Sequence, residues 1–202
     1  MLFVPGGDGR VTSLRGFADA YFGKFASAIA ALSQQPLQQV VDILDEVRLR
    51  GGTVWVAGNG GSAAISDHLV CDATKCTHVQ GQSPLRALSL AANGALLTAL
   101  ANDIEYGEVF RLQLEYYLQP EDAVLLISSS GNSRNVVAAC EFARERGVPT
   151  IAFVGFDGGK LRSLADVVVW VPVHNYGICE DAHQAVMHCV TQYLRARSED
   201  SD

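Results

Sequence analysis

From Val124 to Asn135 the chain reads VLLISSSGNSRN. Four apolar residues, Val124 to Ile127, give way to Ser128, Ser129, Ser130, Gly131, Asn132 and Ser133. An amphipathic pattern then runs through Val136, Val137, Cys140, Phe142 and Ala143. An apolar run bounded by turn residues and followed by a helical period predicts a buried strand, a polar loop and a helix. At the carboxyl end of a parallel strand, such a loop gathers hydroxyls, a glycine that permits close backbone approach, and the unpaired N–H groups of a first helical turn. With the helix dipole these make a socket for a dianionic phosphate. The blander alternative is that Ser and Asn only cap the helix; four hydroxyls around one glycine favour the socket. The Gly-Lys-Ser/Thr ending of a Walker A loop and the three-glycine dinucleotide fingerprint are both missing, which argues against nucleotide hydrolysis.

The same grammar occurs earlier. Thr53 to Ala57 (TVWVA) predicts a buried strand, Gly58, Asn59, Gly60, Gly61 and Ser62 a loop, and Ala63 to about Thr74 a helix. Two such loops at the ends of parallel strands point to one crevice, where doubly wound sheets bind ligands. Further strands are expected at 85–90, 150–154 and 167–171, and helices at 14–31, 37–49, 94–101, 106–118, 133–146 and 180–197. The alternation predicts an α/β three-layer sandwich with a central parallel sheet, preceded by two helices. Residues 1–10, with three glycines and a proline, read as a flexible lead, 11–197 as one domain, and 198–202 as a frayed acidic tail.

The 202 residues, 49% hydrophobic and 18% charged, suit one well-buried core. A formal net charge of −7 argues against a general nucleic-acid or anionic-membrane surface, so anion binding must be local. No secretory signal pattern opens the chain and no apolar run reaches bilayer length, so a cytoplasmic protein is expected. The five cysteines form no Cys-x-x-Cys pair, which indicates neither a disulfide framework nor a thiolate zinc site.

The helix after the first loop carries His68 and Asp72, four residues apart and so on one face. The last helix carries Glu180, His183, Gln184 and His188. Glu180 and His188 are two turns apart, roughly 12 Å along the axis, so they meet one ion only if Glu180 stands at a non-helical entry. Two imidazoles and two carboxylates are donors suited to Zn²⁺ or another divalent ion. His183 is placed as outer support for such an ion.

These stretches, WVAGNGGSAA (Trp55 to Ala64) with His68, LSLAANGALLTALAND (Leu88 to Asp103), LLISSSGNSRNVV (Leu125 to Val137), GFDGGKL (Gly155 to Leu161) and the final helix ending its motif at His188, resemble the SIS (sugar isomerase) family. Within it they resemble the phosphoheptose isomerase group. The resemblance implies a zinc-dependent homotetramer with sites between subunits, which converts sedoheptulose 7-phosphate to D-glycero-D-manno-heptose 7-phosphate on the way to nucleotide-activated heptose. Carried over by position, Asn59, Gly60, Ser62 and Asn93 meet the sugar, and Ser128, Ser129, Ser130 and Ser133 hold the phosphate. His68, Asp72, Glu180 and His188 surround the metal and the reacting carbons.

Aldose-ketose isomerisation through an enediolate needs a base that reaches two neighbouring carbons and an electrophile for the oxyanion. Asp72, or else Glu180, is the expected base, and His188 the acid. The chain departs from the group's usual pattern at several positions: Asp72 stands for Glu, Glu180 for Gln, Asn93 for an acid, Cys76 for a basic residue, and Gly177 and Ile178 for Asp-Arg. A non-catalytic sugar-phosphate-binding regulator, or an isomerase of another phosphosugar, is the alternative reading.

Overall fold

The structure is a computed structural model that describes residues 13–199. The expected flexible lead and residues 200–202 of the expected tail lie outside the described residues. Two helices come first, α1 (Leu14–Ala30) and α2 (Gln34–Arg50). Ser13 caps α1, its Oγ accepting from Gly16 N–H at 3.1 Å. Gly51 ends α2 in the left-handed region at φ 73°.

Five strands, β1 (Thr53–Gly58), β2 (Arg86–Ser89), β3 (Ala123–Ser128), β4 (Thr150–Val154) and β5 (Val167–Trp170), form one parallel sheet in the order β2-β1-β3-β4-β5. All six residues of β3 and all five of β4 are buried, because helices cover both faces; this is why these strands read as unbroken apolar runs. Alternate side chains go to opposite layers. Val54, Val56, Leu125, Ile127, Ile151 and Phe153 pack under α2, α3 (Gly61–Cys71) and α8 (Tyr176–Glu199). Trp55, Ala57, Val124, Leu126, Ala152 and Val154 pack under α4 (Gly94–Asp103), α5 (Val109–Tyr117), α6 (Arg134–Glu145) and the short α7 (Leu161–Leu164). A third cluster joins α1 to α8 through Ala28, Ile178, Cys179 and Ala182.

The buried Asp122 carboxylate ties the sheet's near edge together. It accepts from Thr53 N–H at 2.7 Å, from the Trp55 indole at 2.8 Å and from Gln119 N–H at 2.9 Å. Since β2 and β3 flank β1 on opposite sides, the chain changes winding direction at β1. The loops that leave β1 and β3 therefore open one crevice at the switch point.

Several boundaries differ from the sequence expectation, three of them in the last helix and in the helix after β1. The last helix starts at Tyr176, four residues early, because Asn175 caps it: its Oδ1 accepts from Ile178 N–H at 2.9 Å. It also continues through Ser198 and Glu199, which were expected in the tail. Ser198 is buried, its hydroxyl donating to Leu194 O at 2.9 Å and its carbonyl accepting from Gln82 Nε2 at 2.8 Å. The helix after β1 ends in a π-helical turn, Asp72–Cys76, directly beside His68. Among the described residues no helix is long and apolar enough to cross a membrane.

Candidate functional site

A cavity of about 140 Å³ lies at the switch point, lined by Asn59, Ser62, Ile127, Ser128, Ser129, Ser130, Ser133, Tyr176 and Glu180. The loop after β3 is held from several sides. Gly131 takes φ 63° and its N–H donates to the Ser128 carbonyl at 3.0 Å, while its own carbonyl accepts from Leu161 N–H at 3.1 Å. The Ser129 carbonyl accepts from Gly155 N–H at 3.0 Å, and Asn132 Oδ1 accepts from Lys160 N–H at 3.0 Å. The GFDGGK loop thus buttresses the serine loop from behind.

Two of the serine hydroxyls are not engaged by this scaffold. Ser129 Oγ is buried and has no hydrogen-bond partner. Ser133 occupies the N-cap position of α6, yet its side chain makes no capping bond. The capping alternative therefore does not account for these residues. A buried hydroxyl without a partner is uncommon, because its desolvation is uncompensated unless a ligand supplies the bond. The first turn of α6 adds unpaired N–H groups. No Lys or Arg lines the cavity among the described residues, so the donors it offers are hydroxyls and amides.

The loop after β1 is fixed by a pair of amides. Asn59 Nδ2 donates to Asn135 Oδ1 and Asn135 Nδ2 donates to Asn59 Oδ1, both at 2.9 Å, and the Tyr106 hydroxyl donates to the same Asn59 oxygen at 2.7 Å. Asn59 thus keeps one N–H for a ligand. Gly60 stands at φ 56° at the start of α3, and Ser62 is buried beside the cavity. Glu180 lies against Gly61, where any Cβ would overlap its carboxylate. Burial, and then Asp181, push the Glu180 carboxyl above its ordinary range. Asp181 in turn accepts from the Tyr21 hydroxyl at 2.7 Å, and burial with that bond pushes Tyr21 up to about 12.

Asn93, expected at the sugar, is not brought to the cavity. Its Oδ1 caps α4 by accepting from Leu96 N–H at 3.1 Å. Tyr106 and Asn135 were not anticipated as site residues. Their only sequence signal is position, each one or two residues from a loop end, which does not reveal a partner elsewhere in the chain.

A second constellation lies one to two turns further along α3 and α8. His68 Nε2 is 3.6 Å from Asp72 Oδ1, His188 Nε2 is 3.5 Å from Asp72 Oδ2, and the two imidazole rings are 4.9 Å apart at 79°. One donor atom from each of His68, Asp72 and His188 lies within 4.8 Å of the others. These separations exceed a good hydrogen bond, and two ligands about 2.1 Å from a tetrahedral ion stand about 3.4 Å apart. Geometry and donor type both fit a divalent cation. Glu180 does not join the group. Residue 180 is inside α8 rather than at a non-helical entry, so it stays two turns from His188 and faces the cavity instead. Gln184 takes the intervening turn, its Nε2 2.7 Å from His68 Nδ1 and 3.2 Å from His188 Nε2. Cys76, where a basic residue was usual, donates its thiol to Asp72 Oδ1 at 3.6 Å.

His183, expected as outer support for the metal, points the other way. It is fully buried, its ring centroid 6.1 Å from that of Phe153, and neither ring nitrogen has a hydrogen-bond partner. Burial pulls its pKa down to about 4, and the nearby Val154 backbone offsets this only slightly. Below pH 6.5 the unfolded chain takes up a proton that the folded chain refuses. Stability is therefore lost as pH falls from about 6.5 to about 4, by about 3 kcal/mol in total. We expect His183→Leu to flatten that acid limb in urea titrations of chelated protein at pH 7 and pH 5. An unchanged limb would show that the ring is solvated or paired.

Known proteins resemble this chain in sequence and in fold. The model of the SIS domain matches residues 20–155. A phosphoheptose isomerase of Pelobacter propionicus is 41% identical over 147 residues, covering 73% of this chain and 77% of its own, and one of Helicobacter pylori is 37% identical over 155 residues, covering 77% and 80%. The structure of the phosphoheptose isomerase GmhA from Neisseria gonorrhoeae superposes with a TM-score of 0.84 at 28% identity, over 91% of this chain and 100% of that one. By this likeness in sequence and fold, the chain belongs to the SIS-domain family of sugar isomerases, in its phosphoheptose isomerase group.

Proposed function

We propose that the protein interconverts sedoheptulose 7-phosphate and D-glycero-D-manno-heptose 7-phosphate through an enediolate, with Zn²⁺ held by His68, Asp72 and His188. The observation that carries this reading is the succession of two sites along α3 and α8, whose Ser62 and Glu180 line the serine cavity and whose His68 and His188 stand with Asp72. The serine socket sits at the start of α6, and the imidazole-carboxylate group lies on the α3 and α8 faces, one to two turns away. A sugar phosphate whose reacting carbons are at the far end from its phosphate fits that separation. The socket anchors the chain remotely, so binding energy positions C1 and C2.

In this reading Ser129 and Ser133 donate to the phosphate, Ser128 and Ser130 shape the loop around it, and the remaining Asn59 N–H and the Glu180 carboxyl meet hydroxyls along the chain. Asp72 takes the proton from C1 of the ketose and returns it to C2. His188 moves the hydroxyl proton from the O1 side to the O2 side, so that the net change is one proton shift on carbon and one on oxygen. The bound ion would polarise the carbonyl as a Lewis acid. The reading includes a homotetramer acting in the cytoplasm on the way to nucleotide-activated heptose. Leu14 and Phe22 of α1, with Leu88 and Ile104, are large apolar side chains exposed on the single chain, and subunit contacts would cover such groups.

The test is to incubate the protein with sedoheptulose 7-phosphate in D₂O, with added Zn²⁺ and after chelation, and to follow the products by NMR. The expected product is an aldoheptose 7-phosphate carrying deuterium at C2, formed only in the presence of metal. Binding without any product would leave the regulator reading in its place.

A further inference from the structure

We propose that Tyr176 is a specificity-determining residue of the serine cavity: its ring is the wall on which the first carbons beyond the phosphate lie, so that the cavity prefers the phosphate ester of a primary alcohol to inorganic phosphate. The inference rests on the reading of the serine loop as a phosphate socket and deepens it. The serines reach the cavity from the loop after β3, and Tyr176 reaches it as the first residue of α8. Ile127 apart, the other lining residues are polar, and Tyr176 is the only aromatic among them. A phosphate held through three oxygens by hydroxyls and amides turns its ester oxygen, and the carbons that follow, away from the loop that holds it. An aromatic ring gives those carbons an apolar surface to cover.

Tyr176 is half exposed, yet its ring is supported. It meets Phe156 edge to face, the centroids 4.8 Å apart at 70°, and Phe156 stacks on His174 at 5.3 Å and 8°. His174 Nε2 lies in turn 3.1 Å from Asp157 Oδ1. Phe156 is the one non-glycine residue at positive φ among the described residues, at 45°, a conformation that bulky side chains rarely adopt. Two bonds keep it there: its N–H donates to Val173 O at 3.3 Å, and its carbonyl accepts from the Trp170 indole at 3.0 Å. Strain that the surroundings over-determine in this way clusters at ligand clamps. The strained residue follows Gly155, whose N–H bonds the Ser129 carbonyl. One loop therefore braces the serines through Gly155 and the Tyr176 ring through Phe156, and so couples the socket to its wall.

The experiment compares inorganic phosphate with ethyl phosphate, both mainly dianions at pH 8, by calorimetric titration. An apolar carbon taken out of water is worth about fourfold in affinity, so ethyl phosphate is expected to bind the unaltered chain about 4–16-fold more tightly than inorganic phosphate. Tyr176→Ala is expected to remove that preference while keeping the affinity for inorganic phosphate. Tyr176→Phe is expected to keep both, because the ring and not the hydroxyl makes the contact. A preference that is absent from the unaltered chain, that survives in Tyr176→Ala, or that is lost in Tyr176→Phe as fully as in Tyr176→Ala would overturn the inference while leaving the socket in place. Weaker inorganic phosphate in Tyr176→Ala would overturn it too, by showing that the side chain holds the phosphate itself. An unaltered chain that binds neither anion would remove the socket reading and this inference with it.

Discussion

Replacing Asp72 by Asn lowers kcat by roughly 10²–10⁴-fold, the range general acid-base groups supply, and leaves the affinity for inorganic phosphate unchanged. The side chain keeps its shape, so the packing of α3 against α8 is preserved. What is lost is the carboxylate placed between His68 Nε2 and His188 Nε2, at 3.6 and 3.5 Å. An amide cannot take a proton from carbon, and it gives up the negative charge that favours a cation among the two imidazoles. The socket is separate from this group: Asp72 does not line the cavity that holds the serines. Steady-state turnover of sedoheptulose 7-phosphate, with phosphate as a competitive inhibitor, separates the two effects. Turnover within a factor of ten of the unaltered chain would move the base to Glu180. A parallel loss of phosphate affinity would show that the two sites are not independent.

The second large effect is expected at Gly131. A methyl group there would enter the space of the Gly158 carbonyl, and the residue is held at φ 63°, where an L side chain costs about 1–2 kcal/mol. The obstacle is backbone and cannot rotate away, so the serine loop and the GFDGGK loop must separate. The bonds from Gly155 N–H to Ser129 O and from Lys160 N–H to Asn132 Oδ1 stretch with them. Gly131→Ala is therefore expected to raise KM at least about tenfold, with a smaller change in kcat, because anchoring is lost while the reacting group is intact. Gly147→Ala is the control. It has a similar φ of 70° but nothing within 4 Å of the added methyl, so it should lower the melting temperature without moving KM. A KM that rises equally in both variants would attribute the effect to general destabilisation.

Much of this was legible in the chain itself. The unbroken apolar runs of β3 and β4 mark strands covered on both faces. The change from an unbroken apolar run to period 3.6 after Ser133 marks a crossover helix. The two Gly/Ser loops mark the ends at which parallel strands bind ligands. His68 and Asp72 share a helical face by their spacing alone, and the structure keeps them together with His188. These features depend on local geometry, and local geometry is a property of consecutive residues.

What the sequence left open depends on contacts between distant segments. Whether Glu180 or Gln184 faces His68 is set by where α8 begins, and that is decided by the Asn175 cap and by the packing of α8 on α3. Asn135 and Tyr106 acquire their role only because the switch point brings the loop after β1 beside α6. Asn93, by contrast, carries a side chain that suits a sugar and is engaged by its own helix. The sequence by itself determined the layered parallel sheet, the serine-rich loop after β3 and the pairing of His68 with Asp72, because periodicity and i,i+4 spacing act within a few residues. Only the tertiary structure decided that Glu180 lines the cavity instead of standing with the imidazoles, because a helix register against its neighbour is fixed by packing, and two turns of α8, about 12 Å, separate Glu180 from His188.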